Sequence, residues 1–193
     1  MKRISEILTE YVIKSGAAAP ESYVVYQYGF QVGLEMLCSF MICCFMAILL
    51  HMILQFIIFT IIFMLLRTYA GGIHLESFLS CLVCSVSVQT LVFIIQKFLI
   101  LPLFVCWIFI LFCSAVIVMK APVDSRNREL TYNEKKLYKI TTKRIVYAII
   151  LFSIILSISE NNRLVFLVAL ILFAIMISQY MGEVKNKIVN DEK

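Results

Sequence analysis

Two side chains between Arg67 and Cys84 could together perform nucleophilic and proton-transfer chemistry: His74 and, seven residues later, Cys81. A thiolate attacks a peptide carbonyl readily, and a neighbouring imidazole can take the thiol proton and deliver it to the departing amine. On one straight helix, positions seven apart share a face but stand about 10.5 Å apart along the axis. Proton transfer needs about 2.6–3.2 Å between heavy atoms. The pair can therefore cooperate only if the chain bends before Cys81. Gly71-Gly72 stands where that bend is needed, because glycine adopts backbone angles closed to other residues. From spacing alone, a structural role is the commoner one for a lone interfacial histidine and for one cysteine among seven.

The neighbouring residues could support such a pair. Arg67 closes an apolar run, either as a snorkelling anchor at the membrane edge or as a bidentate hold on a substrate carboxylate or the reacting acyl oxygen. Glu76 faces solvent or orients the imidazole. Ser77 opens an arc of small residues (with Ser80, Cys81, Cys84, Ser85 and Ser87) that allows close helix packing or lines a groove for a peptide. Glu35 lies one turn into the first apolar run, where a carboxylate is costly and structural pairing is expected over proton transfer. Cys81 and Cys84 have Cys-x-x-Cys spacing, but no second Cys or His pair follows to complete four metal ligands. No metal and no cofactor are expected.

The elements that must position these residues are apolar throughout. The chain is 62% hydrophobic and 15% charged over 193 residues, whereas soluble domains are about half apolar and about a quarter charged. The runs are continuous, not alternating, which excludes a β-barrel. The expected fold is all-α: a polytopic integral membrane helical bundle of about six transmembrane helices, preceded by an amphipathic helix. Seven cysteines, an odd number held mostly in apolar runs, argue against a disulfide framework. The net charge of +5 concentrates in short loops, which suits membrane orientation and not nucleic-acid binding.

One membrane domain is expected over 1–193, with an amphipathic segment at 1–20 and a bundle at 31–180. In the first segment Ile4, Ile7, Leu8, Tyr11 and Val12 share one helical face. It either lies on the membrane surface or caps the bundle. Ala17-Ala18-Ala19 resembles a signal-peptidase site, but Glu6 and Glu10 interrupt the apolar region such a signal requires. Tyr23, Tyr26 and Tyr28 favour the headgroup zone. Residues 31–66 would make a helix of about 54 Å against a hydrocarbon core of about 30 Å, so the chain must turn back, and His51 marks the place. Spans are expected at 31–50, 52–66, 78–96, 103–119, 145–159 and 164–180, with a basic loop at 120–144. With both termini cytoplasmic, only Lys97 and Arg163 lie outside, leaving 15 of 17 Lys and Arg inside; the positive-inside rule favours this orientation. The basic loop and the amphipathic helix are expected to meet membrane lipid.

The string Arg67-x-x-Ala-Gly-Gly-x-His74-x6-Cys81 resembles the accessory gene regulator B (AgrB-like) family of membrane cysteine peptidases in Gram-positive quorum sensing. Gly33-Leu34-Glu35 in the first span and Ala121-Pro-Val-Asp124 opening the basic loop agree with it, as do the length and number of spans. The resemblance implies a multi-pass cell-membrane peptidase that cuts the C-terminal part from an AgrD-like pro-peptide. It implies that Cys81 attacks and holds the peptide as a thioester, and that His74 activates the thiol and protonates the leaving amine. A cysteine or serine of the bound peptide then closes a thiolactone or lactone ring, giving an autoinducing peptide. It also implies a homodimer, a state that no residue pattern here reports. Two rivals stand beside this function. A small permease or scaffold would use His74 and Glu35 as ligands and would not need Cys81. A lipid-modifying enzyme would need an acidic metal cluster that Asp124 and Glu129 alone do not supply.

Overall fold

A segment crossing hydrocarbon must satisfy its own backbone hydrogen bonds, and the α-helix does so locally. The computed structural model describes residues 2–17, 19–72, 78–123 and 131–191. Among these are seven α-helices and no strand: α1 (Lys2–Lys14), α2 (Tyr23–Leu49), α3 (Ile53–Ala70), α4 (Phe78–Phe98), α5 (Leu103–Lys120), α6 (Tyr132–Ile158) and α7 (Asn162–Asp191). Six of them, α2 to α7, are long and apolar enough to cross a membrane. The chain is a polytopic helical membrane protein.

Two compact units divide the chain, Met1–Met46 and Ala47–Lys193. In the first, Gln27 Nε2 donates to Glu6 Oε1 at 3.3 Å and ties α2 to α1. The buried side of α1 is Ser5 and Thr9, both fully enclosed, whereas Ile4, Ile7 and Tyr11 are half to three-quarters exposed. Thr9 returns its hydroxyl proton to the Ser5 carbonyl, which satisfies it within the helix. The apolar stripe of α1 therefore points outward.

In the second unit α7 is the hub. Half of its apolar window is buried, against 17–28% for α3 to α6, and it packs on all four of those helices. Val165, Leu167, Val168, Ile171, Leu172 and Ile175 are fully enclosed, as expected of a helix that is apolar all round and surrounded by others. Phe59 of α3 meets Phe93 of α4 edge-on with centroids 5.9 Å apart, and Phe109 of α5 meets Phe173 of α7 likewise at 6.2 Å. The apolar side chains left facing outward on α3 to α6 suit lipid.

The turn at His51 is where the sequence puts it: α2 ends at Leu49, His51 takes φ 57° and α3 starts at Ile53. Helix ends differ from the expected spans in four places, among them α3, which runs past 66 to Ala70 and so carries Arg67. The first span begins at Tyr23, so the tyrosine-rich segment is already helical. The basic loop expected over 120–144 turns helical at Tyr132, where the Thr131 N–H donates to the Glu134 carboxylate at 2.9 Å in a capping box. The last span continues to Asp191. Hydropathy finds the hydrocarbon-crossing part of a helix; the helix itself ends where its capping and backbone bonds end.

Candidate functional site

The site is built at one end of the second unit, where α3 stops and α4 begins. Gly71 and Gly72 terminate α3 with φ of 79° and 149°, a region that disfavours residues with a Cβ. Space demands glycine there as well. A Cβ on Gly71 would lie 2.5 Å from the Val123 carbonyl oxygen, and one on Gly72 would lie 2.0 Å from Arg67 Nη1 and 2.7 Å from Ser178 Oγ.

That link is held from two sides. The Ala70 carbonyl, last in α3, accepts from the Val123 N–H at 3.0 Å and from Gln179 Nε2 at 3.1 Å. Val123 follows α5 directly, and Gln179 lies on α7. The ammonium of Lys120, at the end of α5, pairs with Glu183 of α7 and sits 5.1 Å from the centre of the Tyr180 ring. Tyr69 stacks edge-on against Tyr138 at 5.6 Å, bringing in the first turns of α6. The ends of α3 and α5, the start of α6 and the late turns of α7 thus meet around two glycines.

Arg67 lies on the last turn of α3, partly buried beneath Gly72. Cys81 stands in the first turn of α4 and Cys84 one turn on, so both present to the same side. Both are exposed, whereas Cys43, Cys106 and Cys113 are buried and Cys38 and Cys44 half-buried; all seven are free thiols. Cys81 lies at the positive end of the α4 dipole, which favours negative charge there.

Of the residues singled out from sequence, the fold brings Arg67, Gly71, Gly72 and Cys81 together. His74, Glu76 and Ser77 lie outside the described residues. Glu35 belongs to the first unit, where its carboxylate accepts from Gln31 Nε2 at 3.1 Å, one turn earlier on α2. Ser178 and Gln179 were not singled out, and Val123 only as part of Ala121-Pro-Val-Asp124. A signal for Gln179 exists: an amide inside an apolar run is costly in a membrane and marks a partner.

Six apolar helices, with an exposed cysteine in the first turn of the helix that follows a Gly-Gly helix end, define a multi-pass membrane protein with a candidate thiol-bearing site at a helix end. The family model Accessory gene regulator B matches residues 5–181. The chain belongs to that family, and membership supports a role in processing the peptide of agr quorum sensing. No curated protein and no solved structure matches the chain.

Proposed function

We propose that the chain is a membrane-embedded cysteine endopeptidase that cleaves the C-terminal part from an AgrD-like pro-peptide and promotes cyclisation of the remainder. The observation that carries this function is the exposed thiol of Cys81 in the first turn of α4, directly after the glycine link that ends α3 over Arg67. Cys81 sulfur attacks the scissile carbonyl carbon, and the negative charge gathers on the carbonyl oxygen. Arg67 stabilises that charge. The C–N bond then breaks, His74 delivers the proton taken from the thiol to the leaving amine, and the peptide remains on Cys81 as a thioester. A thiol or hydroxyl of the bound peptide attacks the thioester carbonyl, a ring closes, and Cys81 leaves as the free thiol.

His74 is two residues beyond Gly72, so covalent geometry limits its Cα to within about 7 Å of that glycine's. Fixing Gly72 therefore bounds where the imidazole can act. Thioester exchange is nearly balanced in energy, so cyclisation succeeds only where water is kept from the intermediate; a site at the bilayer edge meets that need. In this reading six crossings put both termini on one side of the membrane, the positive-inside rule favours the cytoplasmic side, and the AgrB-like family implies a Gram-positive cell.

The test is cleavage of a tagged pro-peptide, taken from the reading frame beside this chain's gene and co-expressed with it. Cys81→Ala and His74→Ala should each abolish cleavage while the protein still inserts, and wild type should yield a hydroxylamine-sensitive adduct. Normal cleavage by Cys81→Ala would end the proposal.

A further inference from the structure

Three glutamines are buried in the second unit, Gln89, Gln96 and Gln179, and the last two each donate to a backbone carbonyl at a helix end. Gln96 of α4 donates to the Arg163 carbonyl at 3.0 Å, at the start of α7. Gln179 of α7 donates to the Ala70 carbonyl at 3.1 Å, at the end of α3. They are 4% and 0% exposed, so a leucine or methionine would fill either place without bringing an amide into an apolar surround.

The two bonds differ in what they hold. The Ala70 carbonyl already has a donor in the Val123 N–H, so Gln179 is not needed to spare that carbonyl an unmet acceptor. What Gln179 adds is a second, independent direction: it ties the end of α3 to α7. The adjoining Ser178 hydroxyl and the Arg67 guanidinium both lie where a Cβ on Gly72 would stand, so the link passes close over them. A carbonyl held from α5 and α7 together has less freedom to pivot than one held from the α5 side alone. The link continues from that carbonyl over the Arg67 guanidinium.

We propose that Gln179 is a positioning residue of this site: by bonding the Ala70 carbonyl it fixes the Gly71-Gly72 link against Arg67 and so sets the guanidinium relative to Cys81. The proposal deepens the cysteine-peptidase function above and rests on it. Gln179 touches no reacting atom. Its loss should slow the chemical step and leave pro-peptide binding largely intact, because misplacement of about 1 Å at a reacting centre costs on the order of 100-fold in rate.

The experiment uses the full-length protein in lipid vesicles with the same tagged pro-peptide, comparing Gln179→Met, Gln96→Met and Cys81→Ala. Gln179→Met should lower kcat by about 10- to 100-fold with KM within about twofold of wild type. Gln96→Met removes the same kind of bond at the other end of α4 and should lower thermal stability comparably while keeping kcat within about twofold. Should Gln179→Met not insert, Gln179→Leu, which is similar in size and has no donor, replaces it and should show the same kcat loss. Wild-type kcat in a Gln179 variant, or equal kcat losses in the Gln179 and Gln96 variants, overturns the positioning role. Wild-type cleavage by Cys81→Ala overturns the peptidase itself, whatever Gln179 does.

Discussion

The two ends of the α7-centred unit are joined by similar bonds and built for different purposes. At the Arg163 end, Gln96 holds the first turn of α7, and Trp107 Nε1 donates to Ser157 Oγ at 3.2 Å, joining α5 to α6. The chain reverses there through ordinary polar residues, with Glu160 at φ 55° and exposed. At the glycine end the reversal is crowded. Two glycines take positive φ where no Cβ fits, an arginine is pressed beneath one of them, and three other helices converge. One end closes a bundle; the other spends conformational freedom and space to seat an arginine under a glycine link just before the exposed Cys81. Crowding of that kind is costly to keep and accumulates where geometry serves chemistry.

The comparison can be broken most directly at Gly72. Gly72→Ala should reduce pro-peptide cleavage by on the order of 100-fold, since the new methyl displaces the guanidinium or the link. Gly33→Ala, in α2 with nothing within 4 Å of the added Cβ, should leave cleavage unchanged. Equal activity of the two variants would mean that the crowding has no functional meaning. Arg67→Lys comes next. It keeps the charge and loses the planar fork, and should cost about 10-fold or more in cleavage rate with insertion intact. Lys120→Met removes one partner of the half-buried pair with Glu183. It should lower stability by about 1 kcal/mol, read as a shift of the thermal midpoint, and slow cleavage a few-fold by loosening the chain that crosses Gly71. The smallest effect belongs to the opposite end. Trp107→Phe loses the bond to Ser157, worth about 1 kcal/mol, and should move the thermal midpoint without changing kcat.

Much of the architecture is legible in the sequence because a bilayer leaves few alternatives. A 36-residue apolar run must fold back, and its one ionisable residue near the middle, His51, is where it does. The start of α6 was also legible, in Thr131-Tyr-Asn-Glu134, but counting apolar residues passes over a capping box. The buried side of α1 was not legible. A helical wheel marks Ile4, Ile7 and Tyr11 as the side to bury in a water-soluble protein, whereas here Ser5 and Thr9 are enclosed and the apolar stripe faces out. Where lipid is as apolar as a protein core, hydrophobicity no longer says which side of a helix meets protein, and small residues take the interface.

The same distinction runs through the site. Residue types and order alone determined that this is a six-span membrane protein with Arg67, a glycine pair and Cys81 in one short segment, because hydropathy, glycine's backbone freedom and thiol chemistry are properties of single residues and near neighbours. Only the tertiary structure decided that Val123, Ser178 and Gln179, between 50 and 110 positions along the chain from Gly72, close around that segment. The Gln179 amide in its apolar run announces only that it needs a partner, and neither the Ser178 hydroxyl nor the Val123 backbone says where it will lie. They become part of the site because the ends of α3 and α5 meet the late turns of α7, and that meeting is a matter of packing between helices distant in the chain.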